Sequence, residues 1–254
     1  MSFFKFENKD VYYEETGCGK PLFLLHGNTA SSTMFAMAVE KYSQNYKVIL
    51  IDFLGHGRSQ RLDTFPADLW FYEAEQVIAF LREKQYGKVN IIGSSGGALA
   101  AINVALEAPE LVEKVIADSF EGEVPLNSFT DNIVEEREAS KNDPDSRMFY
   151  YYMHGDDWES VVDNDTNAIA SHCKTIGRFF HKPLSSLSVP ILMTGSKEDE
   201  FISCMGPNYF EKTYGDMIRK IGHGEIYLFE TGRHPAMLSN EDHFRDVCLS
   251  FLEK

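Results

Sequence analysis

The stretch Val89-Asn90-Ile91-Ile92-Gly93-Ser94-Ser95-Gly96-Gly97 decides how the rest of the chain is read. A short apolar run leads into Gly93-Ser94-Ser95-Gly96-Gly97, a G-x-S-x-G pentapeptide. The Ala- and Leu-rich segment 98–106 that follows favours helix. A strand that turns directly into a helix holds the central serine on a strained backbone, and small neighbours keep the adjoining chain from clashing. The turn lifts the Ser95 hydroxyl above the sheet, and the helix start behind it offers N–H groups without intrahelical partners to a developing negative charge. Glycine and serine are common, so the pentapeptide gains weight only if a base, an acid and further donors lie elsewhere in the chain.

Working outward, short continuous apolar runs recur at 21–25, 46–51, 115–117, 190–193 and 226–229. Runs of this kind are buried on both faces, as in parallel sheets. Residues 3–15 alternate loosely and end at Thr16-Gly17-Cys18-Gly19, which reads as a hairpin and turn. Helical periodicity lies between the strands. Ala74, Val77, Ile78 and Leu81 share one helix face, as do Phe244, Val247, Cys248 and Phe251. The alternation predicts an α/β fold with a mostly parallel central sheet flanked by helices. The stretch 121–187 breaks the pattern. It is polar, has no convincing strand, and carries Phe149-Tyr150-Tyr151-Tyr152, Trp158 and Phe179-Phe180. It is too long for a structureless loop in a compact domain. It is read as a small helical lid inserted into a core of 1–120 and 188–254, with its aromatics serving either its own core or substrate contact.

With 254 residues and a formal charge of −15, the chain suits one domain and disfavours nucleic acid or an anionic membrane as partner. The charged first ten residues do not read as a signal peptide. Cys18, Cys173, Cys204 and Cys248 are scattered without a C-x-x-C pair, which fits reduced thiols in a cytoplasmic protein. No H-E-x-x-H, close Cys/His cluster, P-loop or G-x-G-x-x-G points to a metal or a nucleotide, so no cofactor is expected.

Four motifs in order carry a resemblance. They are Leu25-His26-Gly27-Asn28, then Asp52-Phe53-Leu54-Gly55-His56-Gly57-Arg58-Ser59, then the pentapeptide at Ser95, then Gly232-Arg233-His234-Pro235. Over nearly its whole length the chain resembles the α/β-hydrolase-fold enzymes, with Ser, acid and His in that family's order. The resemblance implies that Ser95 is the nucleophile and His234 the base. An imidazole, with an ordinary pKa near about 6.5, takes a serine proton at neutral pH and returns it to a leaving group. Gly195-Ser196-Lys197-Glu198-Asp199-Glu200-Phe201-Ile202 holds the implied acid. Asp199 is favoured because the run after it resembles the family's, with Glu198 and Asp118 as alternatives. The backbone N–H of Gly96 and that of Asn28, or of Thr29 beside it, are the implied oxyanion donors, and the Asn28 side-chain amide is a further one. His26 and His56 are assigned to packing or loop bonding, and the 52–59 loop to shaping and buttressing the site.

The resemblance thus implies a cofactor-independent serine hydrolase cleaving a small, fairly apolar ester through an acyl-enzyme. A C–C bond or thioester hydrolase, a perhydrolase or a lyase on the same fold, and a non-catalytic ligand-binding protein, are the alternatives. The expected partner is a small molecule, and the sequence assigns no oligomeric state.

Overall fold

Side chains on successive residues of a strand point to opposite faces, and here both faces are apolar. Leu22 and Leu24 face one layer while Phe23 and Leu25 face the other; Val48 and Leu50 oppose Ile49 and Ile51 in the same way. The computed structural model describes residues 2–201, 205, 206 and 208–254, so Ile202 and Cys204 lie outside the described residues. The chain runs β1 (Ser2–Phe6), β2 (Lys9–Thr16), β3 (Lys20–Leu25), α1 (Ala36–Tyr42), β4 (Tyr46–Ile51), α2 (Leu69–Lys84), β5 (Val89–Ser94), α3 (Gly96–Glu107) and β6 (Val112–Asp118). It continues through α4 (Asn127–Thr130), α5 (Ile133–Asn142), α6 (Pro144–His154), α7 (Trp158–Thr175), β7 (Ile191–Ser196), α8 (Tyr209–Ile221), β8 (Glu225–Phe229), α9 (Ala236–Ser239) and α10 (Glu241–Leu252).

The strands form one sheet in the order β1-β2-β4-β3-β5-β6-β7-β8. Every pairing from β4 to β8 is parallel, and the N-terminal hairpin adds two antiparallel edge strands. Helices α2, α3 and α8 cover one face, and α1 and α10 the other. The expected helix faces are the buried ones: Ala74, Val77, Ile78 and Leu81 on α2, and Phe244, Cys248 and Phe251 on α10. Cys18, Cys173 and Cys248 are free thiols. Among the described residues no helix is long and apolar enough to cross a membrane.

Within 121–187 the helices occupy 127–175. Tyr150 stacks on Trp158 over Val162, which gives this segment a small core of its own. The return stretch belongs with the main body, because Phe179, Phe180, Leu184 and Leu187 are buried in the larger core. Phe179 meets Trp70 of α2 edge-on at 4.8 Å.

The turn from β5 into α3 depends on close backbone approach. A Cβ at Gly97 would stand 2.6 Å from the His26 carbonyl oxygen and would also strike that of Leu25, both fixed at the end of β3. Gly97→Ala is therefore expected to cost about 1–3 kcal/mol by overpacking, read as a Tm lower by about 2–10 °C in thermal unfolding. Gly215 is the opposite case, interior to α8 with nothing within 4 Å of an added Cβ. Gly215→Ala is expected to stabilise by about 0.5–1 kcal/mol in the same measurement.

Candidate active site

In a parallel sheet the loops after the strands gather at the carboxyl edge. Here β3 delivers His26 to Thr29, β5 delivers Ser95, β6 ends on Asp118, β7 leads to Asp199 and β8 leads to His234. Ser95 caps α3 at φ 56° and ψ −123°, a left-handed conformation that a non-glycine residue rarely adopts. Its N–H donates to the Asp118 carbonyl at 2.8 Å, and its own carbonyl accepts from Ala98 N at 2.9 Å. Ser94 turns the other way, buried, with its hydroxyl 3.4 Å from Asp118 Oδ2.

Ser95 Oγ lies 3.0 Å from His234 Nε2, and His234 Nδ1 lies 2.7 Å from Asp199 Oδ2. Asp199 is fully buried, and its second oxygen accepts from Phe201 N at 3.0 Å. The loop around the imidazole is held from outside the line as well. Glu200 Oε2 accepts from His234 N at 2.9 Å, and Phe201 sets its ring at 90° to the imidazole with centroids 4.9 Å apart.

The two other candidate acids stand elsewhere. Glu198 is exposed. Asp118 is fully buried, but both its oxygens are taken: Oδ1 by Thr194 Oγ1 at 2.8 Å and Ser119 Oγ at 3.1 Å, Oδ2 by Met237 N at 3.0 Å and Ser94 Oγ. Four donors fill the lone-pair sites of a carboxylate, so none is left for the imidazole. Burial pushes its carboxyl up to about 6, against the pull of those donors. Asp118 ties the start of α9, and so the loop carrying His234, to the sheet.

The loop 26–29 packs directly on the elbow. A Cβ at Gly27 would stand 2.9 Å from Ser95 Cβ. The Asn28 side chain is held at both ends, with one N–H of its amide left over. Its Nδ2 donates to Asp165 Oδ2 at 3.0 Å, and its Oδ1 accepts from Trp70 Nε1 at 3.1 Å. Thr29 N is also committed, donating to Asp165 Oδ2 at 3.2 Å. Among the described residues no acceptor takes the Asn28 N–H. Gly96 N, at the first position of α3, has no intrahelical acceptor.

His26 and His154 bond loops together, while His56, for which the sequence suggests packing or loop bonding, is packed. His26 accepts from Phe53 N at Nε2, 3.1 Å, so its Nδ1 carries the proton and donates to Gly27 O at 2.9 Å. Burial, with His56 alongside, presses its pKa down to about 4. His56 is buried between the rings of His26 and Phe65. His154 accepts from Gly57 N at 3.1 Å and donates to Thr29 O at 2.9 Å, and burial lowers it to about 3. In the 52–59 loop, Asp52 accepts from Ser32 N at 2.7 Å and Arg58 N at 2.8 Å, the expected buttress.

A cavity of about 590 Å³ opens over Ser95 and His234. Trp70, Leu99, Phe120, Leu126, Ile133 and Phe149 give it a largely apolar wall. Tyr150 also faces the cavity, so that aromatic serves both the small core of its segment and the cavity wall. Glu121 lines it too, and burial raises its carboxyl to about 7 even though Leu126 N donates to it at 2.8 Å.

The sequence reading missed Asp165, His154, Arg137 and Trp70, all of which grip the 26–29 loop or its side chains. For Asp165 a signal was present. Val161, Val162, Ala168 and Ile169 form the apolar stripe of α7, and Asp165 falls on it at helical spacing. A carboxylate on such a stripe needs a buried partner.

The family model for the alpha/beta hydrolase fold matches residues 20–168. The chain is 32% identical over 109 residues to an (E)-2-((N-methylformamido)methylene)succinate hydrolase from Acinetobacter baylyi, a match covering 42% of this chain and 40% of that relative's length. It is 23% identical over 267 residues to a 2-hydroxy-6-oxo-6-(2'-aminophenyl)hexa-2,4-dienoic acid hydrolase from Metapseudomonas resinovorans, covering 96% of this chain and 88% of the other. In structure it superposes on an esterase from Exiguobacterium antarcticum with a TM-score of 0.76 at 19% identity, covering 97% and 96% of the two chains. Eight strands in this order, loops gathered at their carboxyl edge and the match over 20–168 lead to one conclusion: the chain belongs to the α/β-hydrolase fold family.

Proposed function

We propose that the protein is a serine hydrolase that cleaves a small, fairly apolar ester through an acyl-enzyme. The observation that carries this reading is the unbroken line from Ser95 Oγ through His234 to Asp199, at 3.0 and 2.7 Å. Ser95 Oγ attacks the ester carbonyl while its proton passes to His234 Nε2. The imidazolium returns that proton to the departing alkoxide, leaving Ser95 acylated. Water then attacks the acyl group, with His234 again taking a proton and passing it to Ser95 as the acid leaves. Asp199 accepts from Nδ1–H, which fixes the ring's orientation and stabilises the imidazolium.

The tetrahedral oxygen is read as sitting between Gly96 N and Asn28 N. Thr29 N fits that role less well because Asp165 already uses it. Asp199 is preferred over Asp118 and Glu198 because it alone of the three bonds the imidazole. The segment 121–187 is read as a lid, since Leu126, Ile133, Phe149 and Tyr150 come from it to the cavity wall. That wall favours an apolar acyl or alcohol group. Burial raises the Glu121 carboxyl to about 7, so it carries less charge than an exposed carboxylate below that pH.

Ser95→Ala is expected to lower kcat by about six orders of magnitude on a panel of short-chain esters, and Asp199→Asn by about four. Near-normal turnover by Ser95→Ala would overturn the mechanism. A fluorophosphonate should label Ser95 in the wild type; absence of labelling argues for a ligand-binding protein instead. Glu121 bears on stability. Between pH 4.5 and about 7 the folded chain keeps a proton that the unfolded chain has released, so folding stability falls as pH rises through that window. Glu121→Gln should therefore raise Tm more at pH 8 than at pH 4.5, and an equal shift at both would refute it.

A further inference from the structure

Thr29 is a β-branched residue at φ 55°, a backbone region that costs about 1–3 kcal/mol to occupy and persists only where the surroundings impose it. Each of its polar groups is held by a different helix of the lid. Its N–H donates to Asp165 of α7 at 3.2 Å, its carbonyl accepts from His154 of α6 at 2.9 Å, and its hydroxyl accepts from Arg137 of α5 at 3.0 Å. Asp165 goes further. The same oxygen that takes Thr29 N takes Asn28 Nδ2, while Trp70 holds the other end of that amide. Asn28 is thereby fixed on both sides of its Cα: by its own side chain, and by the peptide that follows it.

Asp165 is fully buried, which by itself pushes its carboxyl up, yet it stays below the ordinary carboxylate range because of His56, the Arg137 charge and the Asn28 amide. A buried charge of this kind persists only if donors converge on it. Two of those donors belong to the 26–29 loop. The two loop donors both go to Oδ2, so the group that the lid buries and the loop that lies against Ser95 are tied through that one oxygen, while Oδ1 has no hydrogen-bond partner among the described residues.

We propose that Asp165 is a positioning residue for the oxyanion loop, through which the lid sets the aim of the Asn28 N–H. This rests on the serine-hydrolase reading above. The lid then does two things at once: it walls the cavity, and it holds one of the two donors in place for the tetrahedral oxygen. A donor lost outright costs about 10² to 10³ in rate, so one left loosely aimed should cost somewhat less.

The test compares steady-state ester hydrolysis and Tm in three variants of the full chain. Asp165→Ala should lower kcat about 10- to 100-fold, with KM within about threefold of wild type, the pattern of an interaction made in the transition state. Asp165→Asn, whose carbonyl oxygen accepts both loop donors, should recover kcat to within about fivefold. Val162→Ala loosens the lid's own core while leaving the Asp165 contacts in place, and should lower Tm while costing kcat less than about threefold. Wild-type kcat in Asp165→Ala overturns the proposal, and so does a loss of kcat in Val162→Ala as large as that in Asp165→Ala. Should Asp165→Ala not fold, Asn28→Ala cuts the same tether from the loop side and keeps its backbone N–H. A fall in kcat of about tenfold is then expected, and an unchanged kcat overturns the proposal. Fluorophosphonate labelling of the wild type separates the two levels. A wild type that neither labels nor turns over esters removes the hydrolase reading and this proposal with it. A wild type that labels, beside an unimpaired Asp165→Ala, removes this proposal alone.

Discussion

The left-handed backbone at Ser95 is the constraint on which the rest of the site depends. A serine at φ 56° and ψ −123° does not stay there unaided. It is held by its N–H on the end of β6, by an α3 helix buried from Gly96 through Leu106, and by a loop 26–29 too close to accept a side chain at Gly27. Those same contacts determine where everything else can stand. With Gly27 against the Ser95 Cβ, Asn28 falls beside Gly96 at the start of α3, where a side chain on Gly96 would strike the Asn28 amide oxygen. The glycines of the elbow thus mark where strand end, helix start and a third loop meet at backbone distance.

How much of this was legible in the sequence follows from the range of each interaction. The strands were readable because each is a short apolar run whose pattern is local. The face of α2 was readable from Ala74, Val77, Ile78 and Leu81 for the same reason. Ser95 and His234 could be singled out because each sits in a short motif beside its own strand. Among the acids at 198–200 pattern favours Asp199 only through the run that follows it, since their difference is one of direction. Glu198 points to water, Asp199 is buried against the imidazole, and Glu200 accepts from the His234 backbone. The grip on Thr29 was out of reach. Asp165 is 136 residues from its partner and His154 is 125, and no local pattern links positions so far apart. Asp165 did break the apolar stripe of α7, which marks a buried carboxylate but does not name its partner.

Asp118 and Asp199 show how one residue type takes two parts. Both are fully buried at the ends of adjacent strands. Asp118 meets two hydroxyls and a backbone N–H in good geometry, with Ser94 at longer range, so its oxygens are used up in joining α9 to the sheet. Asp199 has one backbone donor on one oxygen and leaves the other to the imidazole. The number of donors around each carboxylate, more than its burial, separates a fastener from a group able to orient a ring.

The same distinction applies to the histidines. An imidazole that keeps one fixed tautomer can donate from one nitrogen and accept at the other, which makes it a directional link between two loops. His26 joins the 26–29 loop to Phe53, and His154 joins Thr29 to Gly57. Both are held well below the ordinary imidazole range by burial, with His56 adding its part. Their protons therefore stay where the backbone acceptors need them. His234 differs in being partly open to the cavity, with an acid behind it and a serine in front. Its Nε2 faces a hydroxyl and the cavity, where the other two rings face closed loops. Of the three imidazoles, His234 is the one whose partners are both side chains, Asp199 and Ser95, and not the backbone of a closed loop.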